Sequence, residues 1–454
     1  MGIYDPTPYR LDLRHWPAVA VPPPGPKSKA LHERCCRHFK GLSGQVKLFP
    51  VAFEEGSGCT LTDVDGNRYI DFSSGIYVTT LGHCHPKISE AVQRYAGKLM
   101  NCHDFTTEIK TRLVEKMAQC LPGDLKGYQF YDCGTAAVEA GLRVCRAATR
   151  QHEFISCFYD FHGKTQGAVS LAEIRSPVYG PTRAPGFHMV PRPNPYRPQW
   201  SKADGSIDTD RYIEFYEEYY EHATAHQVAA FVIEPIQGWG GSVIPPDDFF
   251  PKLRAFCDRR KILLMADEVL TSMGRTGKIL CMEHWGVLPD VVTLGKGFGN
   301  GFPVTAVAVR EPFMETFEAI SASSSYGGNP MACAAALACF EVIEDEGLLE
   351  HTLELERLFT RRMEAWKARY RIVGDVRCKG CLLGVELVKD KATKEPFDAA
   401  GKMVYQRAFA RGLAWIPAGH ILRMSPPIVM PNEVAEKGMD LIEAAIAETE
   451  KALC

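Results

Sequence analysis

The chain has 454 residues, 46% of them hydrophobic and 24% charged, with 52 Lys and Arg against 55 Asp and Glu for a formal net charge of −3. That length leaves room for two or three domains and a large core, while near-neutrality argues against nucleic acid or a membrane surface as the main partner. The 16 cysteines are scattered behind a proline-broken start, Pro17 to Pro26, that cannot serve as an apolar export signal, so a reduced cytoplasmic setting is expected.

The stretch up to Pro26 reads as an irregular arm. Residues 51–72 alternate apolar and polar around Asp65-Gly66-Asn67, a hairpin signature, so residues 1–75 are expected to hold an arm and a small antiparallel segment. His83-Cys84-His85 resembles a metal clip, yet no carboxylate or cysteine cluster lies near it in sequence, and no metal is expected. After Gly75 strands alternate with helical stretches, which predicts an α/β layer on a mostly parallel sheet over residues 76–345. Helical spacing covers Lys87 to Leu99 and Glu108 to Cys120. A strand from Gly127 to Tyr131 runs into Cys133-Gly134-Thr135-Ala136-Ala137, which opens a helix through Arg146. A Gly-Thr pair at a helix start offers backbone N–H groups, a hydroxyl and the helix dipole to an anion; the same pair also occurs for conformational reasons alone.

The next predicted strand, Phe154 to Phe158, ends in Tyr159-Asp160-Phe161-His162-Gly163, where an aromatic beside a Gly can stack on a planar ring. Residues 176–206 show little periodicity and are expected to form a long surface or active-site loop. A strand from Val228 to Ile233 leads into Glu234-Pro235-Ile236-Gln237-Gly238, and a helix is expected from Asp247 to Lys261.

Two short apolar runs follow, Ile262 to Ala266 and Val291 to Leu294, both expected as buried parallel strands. Asp267 stands at the carboxyl end of the first and Lys296 just beyond the second, at the sheet edge where ligands of open α/β folds sit. Such a pair suits pyridoxal phosphate, with Lys as the Schiff-base amine and Asp as partner of the pyridinium nitrogen; a strand-end salt bridge is the alternative. Lys296 to Gly301 does not fit GxGxxG, and Phe302 to Val309 continues as a strand, so a nicotinamide enzyme falls behind. The hydroxyl-rich run from Ser321 to Pro330 is a second candidate anion site. No apolar stretch reaches bilayer length; the run Met331 to Phe340 stops at Glu341. Residues 346–454 are expected to form a smaller α+β domain with two helices, a strand at Cys381 to Val388 and a last helix from Glu433 to Lys451. Its CxxC, Cys378 and Cys381, reads as structural.

In chain order the sequence carries SSGIYVTTLGHCHP at 73–86, GTAAVEAGLR at 134–143, FHG at 161–163, EPIQG at 234–238, DEV at 267–269, GRTG at 274–277, LGKG at 294–297, YGGNP at 326–330 and LRMSPP at 422–427. From about Phe53 to the C-terminus these segments resemble the class III aminotransferases, pyridoxal-phosphate enzymes of the 4-aminobutyrate and ornithine aminotransferase kind. Residues 372–396, with LGHCHP and YAGKL earlier, are similar to the dialkylglycine decarboxylase branch. The resemblance implies a fold-type I transferase, a homodimer with shared active sites, and pyridoxal 5′-phosphate as cofactor. It also implies roles for individual residues. Lys296 would carry the Schiff base and move a proton, and Asp267 would keep the pyridine nitrogen protonated. Phe161 and Val269 would sandwich the ring with His162 beside them. Gly134 and Thr135 would bind the phosphate, and Ser325 would reach the phosphate of the neighbouring subunit. Arg423 would clamp a substrate carboxylate, although alone it also reads as a strand-end ion pair.

Three departures from the family pattern bear on substrate. Trp239 stands where many relatives have the Glu that masks the carboxylate-binding Arg, Leu270 where several have Gln, and Ile76 where dialkylglycine decarboxylase has a Gln implicated in decarboxylation. The resemblance implies an aminotransferase passing an amino group from an amino acid donor to an aldehyde or ketone. Trp239 suggests an acceptor larger than succinic semialdehyde, such as an amino sugar of aminoglycoside antibiotic biosynthesis; the alternative is that Trp239 only fills the space of the missing Glu. Decarboxylating transamination, elimination and racemisation remain open, as does a silent homologue acting as a binding protein.

Overall fold

A computed structural model describes residues 2–172 and 183–454. The chain divides into two units, residues 87–342 and residues 1–86 together with 343–454. The three expected parts, 1–75, 76–345 and 346–454, thus become two, because the first antiparallel segment joins the C-terminal unit.

A parallel strand pair and several backbone hydrogen bonds, such as Ser425 N–H to the Phe72 carbonyl, make that junction. Strands β1 (Phe53–Ser57), β2 (Thr60–Asp63) and β3 (Arg68–Asp71) form the antiparallel unit expected at the Asp65-Gly66-Asn67 turn. The β2–β3 turn is held by Asp63, whose Oδ1 accepts from the N–H groups of Asp65 and Asn67, both at 2.9 Å.

The unit 87–342 is built on β4 (Leu125–Tyr131), β5 (Glu153–Cys157), β6 (Phe187–Val190), β7 (Val228–Ile233), β8 (Leu263–Asp267), β9 (Val291–Leu294) and β10 (Thr305–Arg310). They lie in the order β4-β10-β9-β8-β7-β5-β6. The run from β6 to β9 is parallel, and β10 lies antiparallel to both neighbours. Strands β7, β8 and β9 are buried along their whole length, which explains why they read as continuous apolar runs: a parallel strand is covered on both faces. Helix Gly134–Thr149 packs on one face through Val138 and Leu142 against Ala230, Met265 and Val291. Helices Thr209–Ala223 and Phe249–Arg260 cover the other with Tyr216, Phe250 and Phe256.

In the second unit β11 (Val373–Lys379), β12 (Leu382–Leu387), β14 (Ile416–Ala418) and β15 (Ile421–Met424) form an antiparallel sheet in the order β11-β12-β15-β14. Strand β13 (Leu413–Ala414) pairs in parallel with β3, Leu413 opposite Ile70, and ties the N-terminal segment to this unit. Helices Leu348–Arg369, Asp398–Ala410 and Asn432–Leu453 accompany these sheets.

Several expectations change in detail. The expected loop at 176–206 lies outside the described residues at 176–182, and further on it contains β6, an edge strand paired with β5. Two expected helices after Glu346 are one 22-residue helix followed by β11. Helices Pro26–Cys36 and Thr209–Ala223 were not anticipated. The 16 cysteines are free thiols. His83 and His85 of the HCH segment bond Asp71 and Glu346. No helix among the described residues is long and apolar enough to cross a membrane.

One glycine shows how closely the C-terminal helix seats. A Cβ at Gly438 would stand 2.2 Å from Cε2 of Phe72, which is fully buried. Gly438→Ala is therefore expected to destabilise this unit by about 1–3 kcal/mol, read as a lower unfolding midpoint, and Phe72→Leu in the same chain should return part of the loss. An unchanged midpoint would mean that Phe72 can yield without cost.

Candidate active site

Parallel pairing sets Asp267 of β8 opposite Thr293 of β9, so the carboxylate and Lys296, three residues beyond Thr293, emerge at adjacent strand ends. Between them the chain is tight. A Cβ at Gly295 would meet Val269 Cγ1 at 3.0 Å and Thr305 Cγ2 at 3.1 Å. Lys296 then takes φ +46° and Asn300 φ +47°, left-handed values that non-glycine residues rarely hold without a compensating reason. Burial pushes the Lys296 amine below its ordinary value, against the opposing pull of Asp267 and Glu234.

Asp267 is almost wholly buried and well supplied with donors. Thr293 Oγ1 donates to its Oδ1 at 2.8 Å, as does the N–H of Val269 at 3.2 Å, and His162 Nδ1 lies 2.8 Å from its Oδ2. Behind His162 stands Asp160, whose Oδ1 accepts from Arg192 Nη1 at 3.2 Å and from Gln237 Nε2 at 2.7 Å. Arg192 also donates to the carbonyls of Glu234 at 2.7 Å and Pro235 at 2.8 Å. Burial works against a charged His162, but Asp160 and Asp267 overcome it and raise its pKa to about 10. Glu234 is pushed up to about 7 by burial and by the charge of Asp160.

The anion cradle is adjacent. Helix Gly134–Thr149 begins after Cys133 with no side-chain cap, so its first N–H groups are open to a ligand. Thr135 Oγ1 lies 2.7 Å from Thr165 Oγ1, and Thr165 in turn donates to Glu139 Oε1 at 2.6 Å. Gly163 has φ +133°, and a Cβ there would fall 2.3 Å from Thr135 Oγ1, so the FHG segment and the cradle require that glycine. Val269 lies 3.2 Å from where a Gly134 Cβ would be, linking the cradle to the lysine. Phe161 is half-buried and donates its N–H to Glu234 Oε1 at 2.8 Å. The Trp239 ring, 58% exposed, lies 6.0 Å from that of Phe161 at an interplanar angle of 35°.

The structure thus brings Gly134, Thr135, Phe161, His162, Trp239, Asp267, Val269 and Lys296 into one connected neighbourhood. Ser325 is exposed in the loop before helix Pro330–Asp345, its carbonyl accepting from Asn101 Nδ2 at 2.9 Å. Ile76 and Arg423 belong to the other unit. Arg423 is buried on β15, opposite Gly384 of β12. Ile76 is half exposed in a turn in which Ser74, Gly75, Ile76 and Tyr77 all have positive φ. Left-handed backbone costs roughly 1–2 kcal/mol per non-glycine residue, and Asp71 offsets this by accepting from the N–H and hydroxyl of Ser73, both at 2.7 Å. Sequence reading missed Asp160, Arg192, Thr293 and Glu139. Asp160 carried a local signal, a charge at a strand end; Arg192 reaches the site only through the fold.

These groups fit pyridoxal phosphate on their chemistry: an amine, a fixed carboxylate for a ring nitrogen, open N–H groups with a hydroxyl for the phosphate, and an aromatic with a branched aliphatic for the ring faces. Fold and site together define a pyridoxal-phosphate transferase of the fold-type I class. The model of the class III aminotransferase family matches residues 42–446, and the chain belongs to that family. Its cofactor is accordingly pyridoxal 5′-phosphate. The chain is 35% identical to an alanine/serine racemase of Pyrococcus horikoshii, over 98% of this chain and 96% of that protein. It is 33% identical to a probable 4-aminobutyrate aminotransferase of Bacillus subtilis, over 90% of this chain and 94% of that protein. Among solved structures it resembles a pyridoxal-phosphate-bound amine transaminase from an uncultivated Pseudomonas species, with TM-score 0.82 and 28% identity over 90% of this chain and 98% of that one.

Asp267→Asn keeps the shape of the carboxylate and removes its charge. The fold and much of the bound cofactor should remain, while the single-turnover spectral change slows by a factor on the order of 10²–10³, the usual loss on removing one preorganised electrostatic group. An unchanged rate would move the proton-holding role to another residue.

Proposed function

We propose that this aminotransferase takes the amino group of a simple α-amino acid, whose carboxylate Arg423 receives, and passes it to an aldehyde or ketone bulkier than succinic semialdehyde. The observation that carries the reading is Trp239, an exposed indole tilted beside the half-buried Phe161 where many relatives have Glu. An indole carries no charge, so Trp239 cannot form the ion pair by which that Glu engages the carboxylate-binding Arg in those relatives. A broad aromatic face can pack on the apolar face of an amino sugar or a long amine, with the polar rim left to hydrogen bonds. The amino sugars of aminoglycoside biosynthesis belong to this class of acceptor.

Bound pyridoxal phosphate supplies the aldehyde that takes up the amino group and the electron-poor ring that accepts the electrons of the Cα–H bond. The chain's own residues do the rest. Lys296, its amine held below its ordinary value by burial, takes the proton from Cα and delivers it to the cofactor side. Asp267 holds the proton on the ring nitrogen, and the helix at Gly134 and Thr135 anchors the phosphate. Ser325 serves the phosphate of a second copy in a dimer. Its exposure, and that of Phe105 at 81% and Met100 at 64% in a nearby stretch, supports this. A cytoplasmic location completes the proposal.

A second reading is racemisation, favoured by the likeness to the Pyrococcus horikoshii racemase. It needs only that the proton Lys296 removes be returned to the opposite face of the same carbon. Decarboxylation is less well supported, since Ile76 offers no polar group to a departing carboxylate.

Substituting Trp239 by Glu tests the substrate reading. Activity with the bulky acceptor should collapse while activity with 4-aminobutyrate appears; a wild type that already prefers 4-aminobutyrate would refute the proposal. Incubation with single L-amino acids separates the reaction types. Transamination yields a keto acid in step with aminated acceptor, without carbon dioxide. Accumulation of the D-enantiomer in the absence of any acceptor would instead establish the racemase reading.

A further inference from the structure

Two buried polar atoms behind Asp267 have no hydrogen-bond partner among the described residues: Nε2 of His162 and Oδ2 of Asp160. They face each other at 3.7 Å, with both side chains fully shielded from solvent. His162 Nδ1 is already committed to Asp267 at 2.8 Å, and a carboxylate can only accept, so the hydrogen sits on Nδ1. A neutral ring would then present the Nε2 lone pair to an anionic oxygen, leaving two buried acceptors opposed. Placing a second proton on Nε2 turns the same contact into an ion pair.

We propose that Asp160 is a positioning residue that keeps His162 doubly protonated, so that the imidazolium holds Asp267 ionised and aimed at the cofactor nitrogen. The proposal rests on the assignment of Asp267 as the partner of that nitrogen. Charges then alternate across the buried cluster: Arg192 positive, Asp160 negative, His162 positive, Asp267 negative. Asp160 cannot turn away, because its other oxygen is fixed by Arg192 and Gln237, and Arg192 is itself pinned by the carbonyls of Glu234 and Pro235. Other ionisable groups coupled to the cluster are Glu234, facing Asp160, His162 and Asp267, Lys296, facing Asp267 and Glu234, the buried thiol of Cys157, facing Asp160 and Arg192, and the buried phenol of Tyr216, facing Arg192 and Cys157. The high pKa of His162 agrees with this arrangement. Asp160 never touches substrate; it acts through the histidine.

The full-length protein labelled with ¹⁵N at histidine, with and without pyridoxal phosphate, reads the protonation state directly. His162→Gln removes one signal and so assigns it. In the wild type that ring should carry protons on both nitrogens at pH 7 and titrate only well above it. In Asp160→Asn its midpoint should fall by at least about one pH unit, a tenfold loss of proton affinity, and the cofactor should be retained several-fold less tightly. Asp160→Glu, which restores a carboxylate, should bring the midpoint back toward the wild type, a rescue that a purely structural role would not produce. A neutral His162 in the wild type at pH 7, or the same midpoint in Asp160→Asn as in the wild type, overturns the proposal; the wild-type measurement decides even if the variants fail to fold. Because the titration is also read without the cofactor, its failure is distinct from an error in the assigned reaction, which would leave it unchanged.

Discussion

A carboxylate placed at the buried end of a parallel strand and ringed by donors is the constraint on which this site depends. Asp267 is 4% exposed, and an anion there is tolerated only because the fold surrounds it with donors. Thr293 is supplied by the neighbouring strand, the Val269 N–H by the turn after β8, and His162 by the strand end two places along the sheet. Each donor arrives because parallel pairing sets the ends of β5, β7, β8 and β9 at one edge of the sheet. The same edge delivers Lys296, whose left-handed backbone is the local cost of turning out of β9 into the site.

Much of this was legible in the sequence, for a physical reason. Strands β7 and β9 were read with their bounds as observed because burial on both faces writes an unbroken apolar run. An ionisable residue just beyond such a run therefore stands out in the sequence, as Asp267 and Lys296 do. What remained hidden falls into two kinds. Edge strand β6 is only partly buried and carries no such run, so it dissolved into an expected loop. Arg192 and Thr293 matter only through neighbours that the fold brings to them from outside their own segments, and periodicity carries no information about such pairings. The division into units was hidden for the same reason, since residues 1–86 join 343–454 through pairings far apart in sequence, such as β3 with β13 and the Ser425 N–H with the Phe72 carbonyl.

Exposure separates the candidate site residues into two groups. Around Asp267 the side chains are buried and locked by hydrogen bonds, whereas Trp239 and Ile76 are half or more exposed. The left-handed turn that carries Ile76 is held from below by Asp71, and within the same unit Ser74 Oγ donates to the Ser425 carbonyl at 2.6 Å.

Borohydride reduction of the cofactor-loaded resting protein, followed by peptide mapping, tests the central claim most directly. The account predicts one phosphopyridoxyl adduct, on the peptide containing Lys296, with loss of the visible absorption of the resting protein. An adduct on a different lysine, or full turnover in a protein that acquires no adduct, would contradict it.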